Sequence, residues 1–238
     1  LTAPHTPWTP SENFRGRSSA GIYGDFVLEI DHGIGRMVEQ LRKSGLYENT
    51  MIIFSSDNGA YWPKEEIELT GHESNHGRRG QKGDVWDGGH HIPLIISWPE
   101  KIRKGSRYEH LVSLTDLFAT LADLTGLEVE SGNGEDSFSF LPVLEGNMSA
   151  ATRPSMIHHS SRGMYSIRTA TWKFIDGLGS GGFTAPGRME PAPGGPQGQL
   201  YRIETDPLES RDLYLEYPDT VDIFINELKQ QITINIIQ

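Results

Sequence analysis

Thr50-Met51-Ile52-Ile53-Phe54-Ser55-Ser56 runs straight into Asp57-Asn58-Gly59, and the reading of this stretch decides the fold. An apolar run of that length ending in polar residues and glycine predicts a buried strand with Asp57 and Asn58 at its C-terminal tip. In open α/β sheets that tip is where ligands bind. A carboxylate beside an amide carbonyl suits a hard, oxygen-loving cation such as Ca²⁺. Taken alone, Asp-Asn-Gly is also an ordinary turn. Downstream come Arg79-Gly80-Gln81-Lys82-Gly83, Trp86-Asp87-Gly88-Gly89 and then Ile92-Pro93-Leu94-Ile95-Ile96-Ser97-Trp98, the next predicted buried strand.

Outward from this centre the chain alternates helix and strand signals. Ile22, Phe26, Ile30, Ile34, Met37, Val38 and Leu41 recur every three or four residues, predicting an amphipathic helix over Ile22 to Ser44 that Gly45 ends. Asp25, Glu29 and Asp31 are expected on its solvated face. Residues 60–79 read as a long polar loop, where His72 and His76 sit at helical spacing without the carboxylates a metal site would need. Leu114 to Leu124 predicts a second helix, capped by Ser113 or Thr115 and stopped by Gly126. Phe138 to Leu144 reads as a short apolar element.

After about residue 150 the pattern changes. Met156–His159, Met164–Arg168, Trp172–Ile175 and Gln199–Ile203 are short strand-like runs, and residues 177–198 are too rich in Gly and Pro for regular structure. Pro218 to Gln230 predicts a terminal helix. The fold class is therefore α/β, residues 1–150 forming one part and residues 151–238 a small antiparallel α+β subdomain.

Composition bounds the function. The 238 residues are 36% hydrophobic and 22% charged, with net charge −11, which disfavours a nucleic-acid backbone as partner. No apolar run is long enough for a membrane helix. The chain has no cysteine, hence neither a disulfide nor a thiolate nucleophile.

These blocks, in this order, resemble the second half of a type I, formylglycine-dependent sulfatase of the alkaline-phosphatase-like superfamily. Pro4-His5-Thr6-Pro7 is similar to that family's His-x-Pro loop, Leu114–Leu121 to its helix after the central sheet, and Gln199-Leu200-Tyr201 with Glu204–Pro207 to its C-terminal strand and turn. The resemblance implies that the first part is the C-terminal portion of the catalytic sheet. It also implies that Asp57 and Asn58 are two of the calcium ligands, with Asp57 near the nucleophile. Lys82 would bind a sulfate oxygen, His5 would protonate the leaving alcohol, and His158 would contact substrate. The implied partner is a sulfated small molecule or carbohydrate, and the implied compartment is periplasmic, secreted or lysosomal.

The sequence also departs from the family pattern. Asp87 stands where a glutamate is usual, and His91 replaces an arginine, removing a permanent cation. The family's Cys/Ser-x-Pro-x-Arg motif, whose first residue becomes formylglycine, does not occur among these residues. Two further calcium-binding aspartates are missing as well. The chain is therefore expected to be the C-terminal part of a longer enzyme, inactive alone and a poor binder of calcium. A phosphate or phosphonate ester hydrolase of the same superfamily, and a non-catalytic binding module, remain the alternatives.

Overall fold

The computed structural model describes residues 2–236 and divides the chain into two compact units. The first comprises Leu1–Ser55, Tyr61–Ser74 and Leu94–Lys104; the second comprises Ser56–Ala60, Asn75–Pro93 and Gly105–Gln238.

In the first unit the predicted long helix is α1, Gly21–Lys43, and it ends as expected, with Gly45 at φ +70° and Leu46 N–H donating to Leu41 O. One expectation fails here. Asp25 is 4% exposed, and its carboxylate accepts hydrogen bonds from the backbone N–H groups of Gly16, Arg17 and Ser18. A polar residue at helical spacing looks solvated in one dimension; three otherwise orphaned amides in the preceding turn draw it inward. The apolar runs around Ile53 and Ile96 form β1, Ile52–Ser55, and β2, Leu94–Ser97, paired antiparallel with Ile53 opposite Ile96. Both are shorter and less buried than expected, Ile95 being 59% exposed. The loop predicted after residue 60 contains a helix, α2, Lys64–Thr70, begun after Pro63 and closed by Gly71. Three rings hold this unit's N-terminal segment: Trp8, Tyr23 and Trp62 lie 4.7–5.7 Å apart centroid to centroid.

In the second unit a one-turn helix, α3 (Asp87–His90), precedes α4 (Asp116–Thr125) and α5 (Leu141–Leu144). Asp116 accepts from Ser113 N–H and Phe138 N–H, joining the start of α4 to the later loop. The four predicted short strands are all present: β3 Ser155–His159, β4 Tyr165–Thr169, β5 Lys173–Ile175 and β6 Gln199–Tyr201. They form one antiparallel sheet in chain order, followed by α6, Pro218–Ile236.

Strand alternation gives this sheet two buried faces. Ile167, Phe174 and Leu200 stand in one cross-strand row and pack with Val221, Phe224 and Leu228 of α6. Neighbouring positions turn the other way, so Ile175, Tyr201 and Met164 meet Val85 and Trp86. This second face supports the residues that the sequence singled out.

Candidate functional site

The Asp57–Asn58 turn and the Lys82 loop meet through backbone. Gly59 N–H donates to Gly89 O at 2.9 Å, and Lys82 N–H donates to Ala60 O at 3.0 Å. A β-carbon at Gly59 would collide with the Gly88 carbonyl, so only glycine permits this approach. Asn75 adds a side-chain latch, its Oδ1 accepting from Ala60 N–H while its Nδ2 donates to Ala60 O and Gly80 O. Three sequence-distant pieces thereby become one rigid platform.

On the platform, Ser56 Oγ donates to Asn58 O and the Asn58 amide donates to Asp57 Oδ1 at 2.8 Å. Turned this way, Asp57 Oδ2 and Asn58 Oδ1 are still available as oxygen donors, a set that fits a hard cation and not a soft one. They are two donors where calcium takes six to eight, and among the described residues no three His, Asp or Glu side chains gather to hold a metal. Lys82 makes no ion pair among the described residues.

The platform rests on buried charge that sequence reading missed. Lys173 of β5 lies 2.8 Å from Asp87 Oδ1 and 2.8 Å from Glu209 Oε1, with Arg168 3.5 Å from Asp87 Oδ2. Glu209 Oε2 also accepts Asp87 N–H at 2.7 Å. Burial by itself would raise the Asp87 carboxyl, but Lys173 and Arg168 overrule it and hold the group far below the usual carboxylate range. For Glu209 burial wins over Lys173 and its carboxyl is raised. Arg79 completes the frame, donating to Tyr201 OH and Glu209 O while its guanidinium lies 3.9 Å from the centre of the Trp86 ring. The lysine's alternation position in β5 and the Trp-Asp-Gly-Gly run were visible in sequence; their pairing was not.

His158 is drawn into this frame. Its Nε2 lies 2.8 Å from Ser166 Oγ and 3.3 Å from Val85 O, and its ring is 4.0 Å from that of His90. Burial, then Lys173 and His90, push it well below the usual imidazole range. Its neighbour His159 is the exposed one of the pair. Burial and then Lys173 bring His90 down to about 4. His91 pairs with Arg78 at 3.3 Å, so a cation does adjoin the position where the arginine is absent.

His5 belongs to the first unit. It is exposed between Pro4 and Pro7, and its Nδ1 lies 2.7 Å from Thr6 O. A carbonyl only accepts, so Nδ1 carries a proton and Nε2 is the nitrogen left for acid–base work. Among the described residues neither His72 nor His76 joins a metal-holding cluster, and His72 O accepts Trp62 Nε1–H at 2.6 Å.

Known proteins resemble this chain along most of its length. The family model described as Sulfatase matches residues 1–127. Over 176 residues the chain is 34% identical to a steryl-sulfatase of Mus musculus, covering 71% of this chain and 28% of the relative. Over 222 residues it is 30% identical to an N-acetylgalactosamine-6-O-sulfatase of Bacteroides thetaiotaomicron, covering 91% and 43% respectively. A solved structure from work on the metabolism of multiple glycosaminoglycans by Bacteroides thetaiotaomicron superposes with a TM-score of 0.84 at 28% identity, over 98% of this chain and 49% of that one. The chain thus spans less than half the length of these proteins. With motif order, fold and sequence identity in accord, the chain belongs to the sulfatase family.

Proposed function

We propose that this chain supplies the cation- and sulfate-binding portion of a sulfuric ester hydrolase that cleaves a sulfate monoester, the nucleophile coming from outside these 238 residues. The observation that carries the reading is the backbone junction of Gly59 with Gly89 and of Ala60 with Lys82, which makes the Asp57–Asn58 turn and the Lys82 loop one rigid piece. Rigidity matters because charge stabilisation in a transition state is effective only from groups that need not reorganise.

In this proposal Asp57 and Asn58 would hold calcium, together with ligands from outside the chain. The cation would supply positive charge to the sulfate oxygens. Lys82 carries a compact cation to a non-bridging sulfate oxygen. His5, protonated on both ring nitrogens with Nδ1–H held by Thr6 O, would present Nε2–H to the ester oxygen and deliver that proton as the alcohol leaves. Asp57 also accepts a hydrogen bond from the nucleophile, a formylglycine by family resemblance, and His158 borders the substrate. An amide oxygen at Asn58 favours calcium over zinc, and so sulfate over the phosphate chemistry of zinc-dependent relatives. Residues 1–150 would then complete a catalytic domain, residues 151–238 would form its subdomain, and the chain alone would be inactive. The two relatives named above are a steryl-sulfatase and an N-acetylgalactosamine-6-O-sulfatase, so sulfated sterols and sulfated carbohydrates are the substrate classes this proposal draws on. Among the described residues no helix is long and apolar enough to cross a membrane.

The test uses the full protein that carries these residues. It should hydrolyse 4-nitrophenyl sulfate, lose activity to a chelator and regain it with Ca²⁺. Faster turnover of 4-nitrophenyl phosphate would overturn the assignment, as would a mass spectrum of the intact protein without formylglycine.

A further inference from the structure

Lys82 is presented by a four-residue turn, and the residue that closes the turn is Asp84. Asp84 N–H donates to Gln81 O at 3.0 Å, with Gly83 in the third position at φ +86°. A positive φ there is the mark of a type II turn, and glycine adopts it without strain. Lys82 N–H and Gly83 O are held as well, by Ala60 O at 3.0 Å and by Ser161 N–H at 2.8 Å.

The Asp84 side chain fastens the same turn a second time. It is fully buried and makes no ion pair among the described residues, so neutral donors must satisfy its charge. Oδ2 accepts Gln81 N–H at 3.0 Å and the Thr184 hydroxyl at 2.5 Å. Oδ1 accepts Phe183 N–H at 2.7 Å and Thr184 N–H at 3.0 Å. Gln81 Nε2–H in turn donates to Thr184 Oγ1 at 3.3 Å. A closed circuit results, running from the Gln81 side chain through the Thr184 hydroxyl and the Asp84 carboxylate to the Gln81 backbone. The far side of this clamp is itself braced: Ser180 Oγ donates to Thr184 O and accepts Gly182 N–H, while Ser180 O accepts Val85 N–H.

Two glycines leave room for the carboxylate. A β-carbon at Gly80 would stand 2.9 Å from Asp84 Oδ2, and one at Gly182 would stand 2.6 Å from Oδ1. Both distances are too short for any other residue type. Four donors also select the side chain at position 84. Asparagine would offer them one oxygen and turn two N–H groups towards the rest, and glutamate would add a methylene where none fits.

Resting on the sulfatase reading of Lys82, we infer that Asp84 is the positioning residue for that lysine. A lysine side chain keeps its own rotamer freedom, so the fold can fix only its root. Asp84 fixes that root from both sides, through its carboxylate on Gln81 N–H and its backbone N–H on Gln81 O. An ammonium held in this way reorganises little when charge develops on a sulfate oxygen.

The test is a double-mutant cycle in the full protein with 4-nitrophenyl sulfate as substrate. Asp84→Asn should lower kcat about 10- to 100-fold, the loss expected from a displacement of about 1 Å. In a Lys82→Ala background the same change should cost less than about twofold, because the group it positions is gone. Thr184→Val removes one donor and keeps the backbone ones, so it should lower kcat about threefold, again only when Lys82 is present. This milder variant decides the matter if Asp84→Asn does not fold. Equal losses with and without Lys82 would show that Asp84 serves the fold at large and would overturn the proposal, as would an undiminished kcat in Asp84→Asn. If Lys82→Ala itself keeps the wild-type kcat, the sulfate-binding reading of Lys82 fails separately. Hydrogen exchange then decides the clamp: the Gln81 amide should exchange about tenfold faster in Asp84→Asn while the amides of β5 are unchanged, and an unchanged Gln81 rate overturns it.

Discussion

The Lys173 ammonium lies 2.8 Å from the Asp87 carboxylate with neither side chain more than 5% exposed, so the loop between Lys82 and Gly89 is held in place by an ion pair deep in the protein. Both residues also engage Glu209. Charge in a dry interior matters most when a partner is removed. Lys173→Met would leave two buried carboxylates facing each other and should cost about 3–5 kcal/mol, read from the urea midpoint. A loss below about 1 kcal/mol would show that water reaches the site. Adding Glu209→Gln to Lys173→Met should recover part of the loss, because one unpaired charge is gone.

The two carboxylates make the acid limb informative. Asp87 has a depressed carboxyl in the fold, so its contribution is complete above the unfolded carboxylate range and is lost as pH falls below about 4. Glu209, raised by burial, works in the opposite sense and penalises the fold as pH rises through its own range. Asp87→Asn should therefore flatten the decline in urea midpoint below about pH 4.

His90 governs a different window. Its imidazole titrates at about 4 in the folded protein and at about 6.5 when exposed, so between those values the unfolded chain binds a proton that the fold refuses. Stability should then rise with pH across this window and level off above it. His90→Gln should remove about 1.4 kcal/mol per pH unit of that slope. His158, depressed in the same direction, adds to the wild-type slope. An unchanged slope in His90→Gln would mean that His90 is hydrated.

Gly59→Ala tests the platform. The added methyl meets the Gly88 carbonyl, which is backbone and cannot swing away. Overpacking of this kind costs about 1–3 kcal/mol, and the Asp57–Asn58 turn should shift relative to Lys82. The expected result is weaker calcium dependence together with a fall in kcat, measured on 4-nitrophenyl sulfate while circular dichroism shows the fold retained.

Lys82 and His5 should separate by leaving group. If Lys82 serves the sulfate oxygens as proposed, Lys82→Ala should lower kcat by about 10²–10³ on aryl and sugar sulfates alike. His5→Ala should cost about 10²-fold on a sugar sulfate and far less on 4-nitrophenyl sulfate, whose phenolate leaves without a proton. Equal losses for His5→Ala on both esters would exclude the general-acid role.

Much of this was legible in one dimension. The helix Gly21–Lys43, the four strands after Ser155 and the terminal helix follow from periodicity and from glycine stops, which act locally. Asp57, Asn58 and Lys82 drew notice through residue type and order. The short helix Lys64–Thr70 was not legible, because its seven residues are mostly polar and show no apolar stripe. Asp25 was misread for the same kind of reason: its three donors lie seven to nine residues away, beyond any helical repeat.

By itself the sequence determined most of the elements, the family and the residues whose chemistry suits a hard cation and an anion. Only the tertiary structure decided what supports them. The Lys173–Asp87–Glu209 cluster joins residues 86 and 122 positions apart, and the Asp84 clamp on Phe183 and Thr184 spans about 100. Such pairings have no sequence period. They arise because a buried charge must find an opposite charge or a donor wherever the folded chain brings one, and each of these charges finds it beside the loop that carries Lys82.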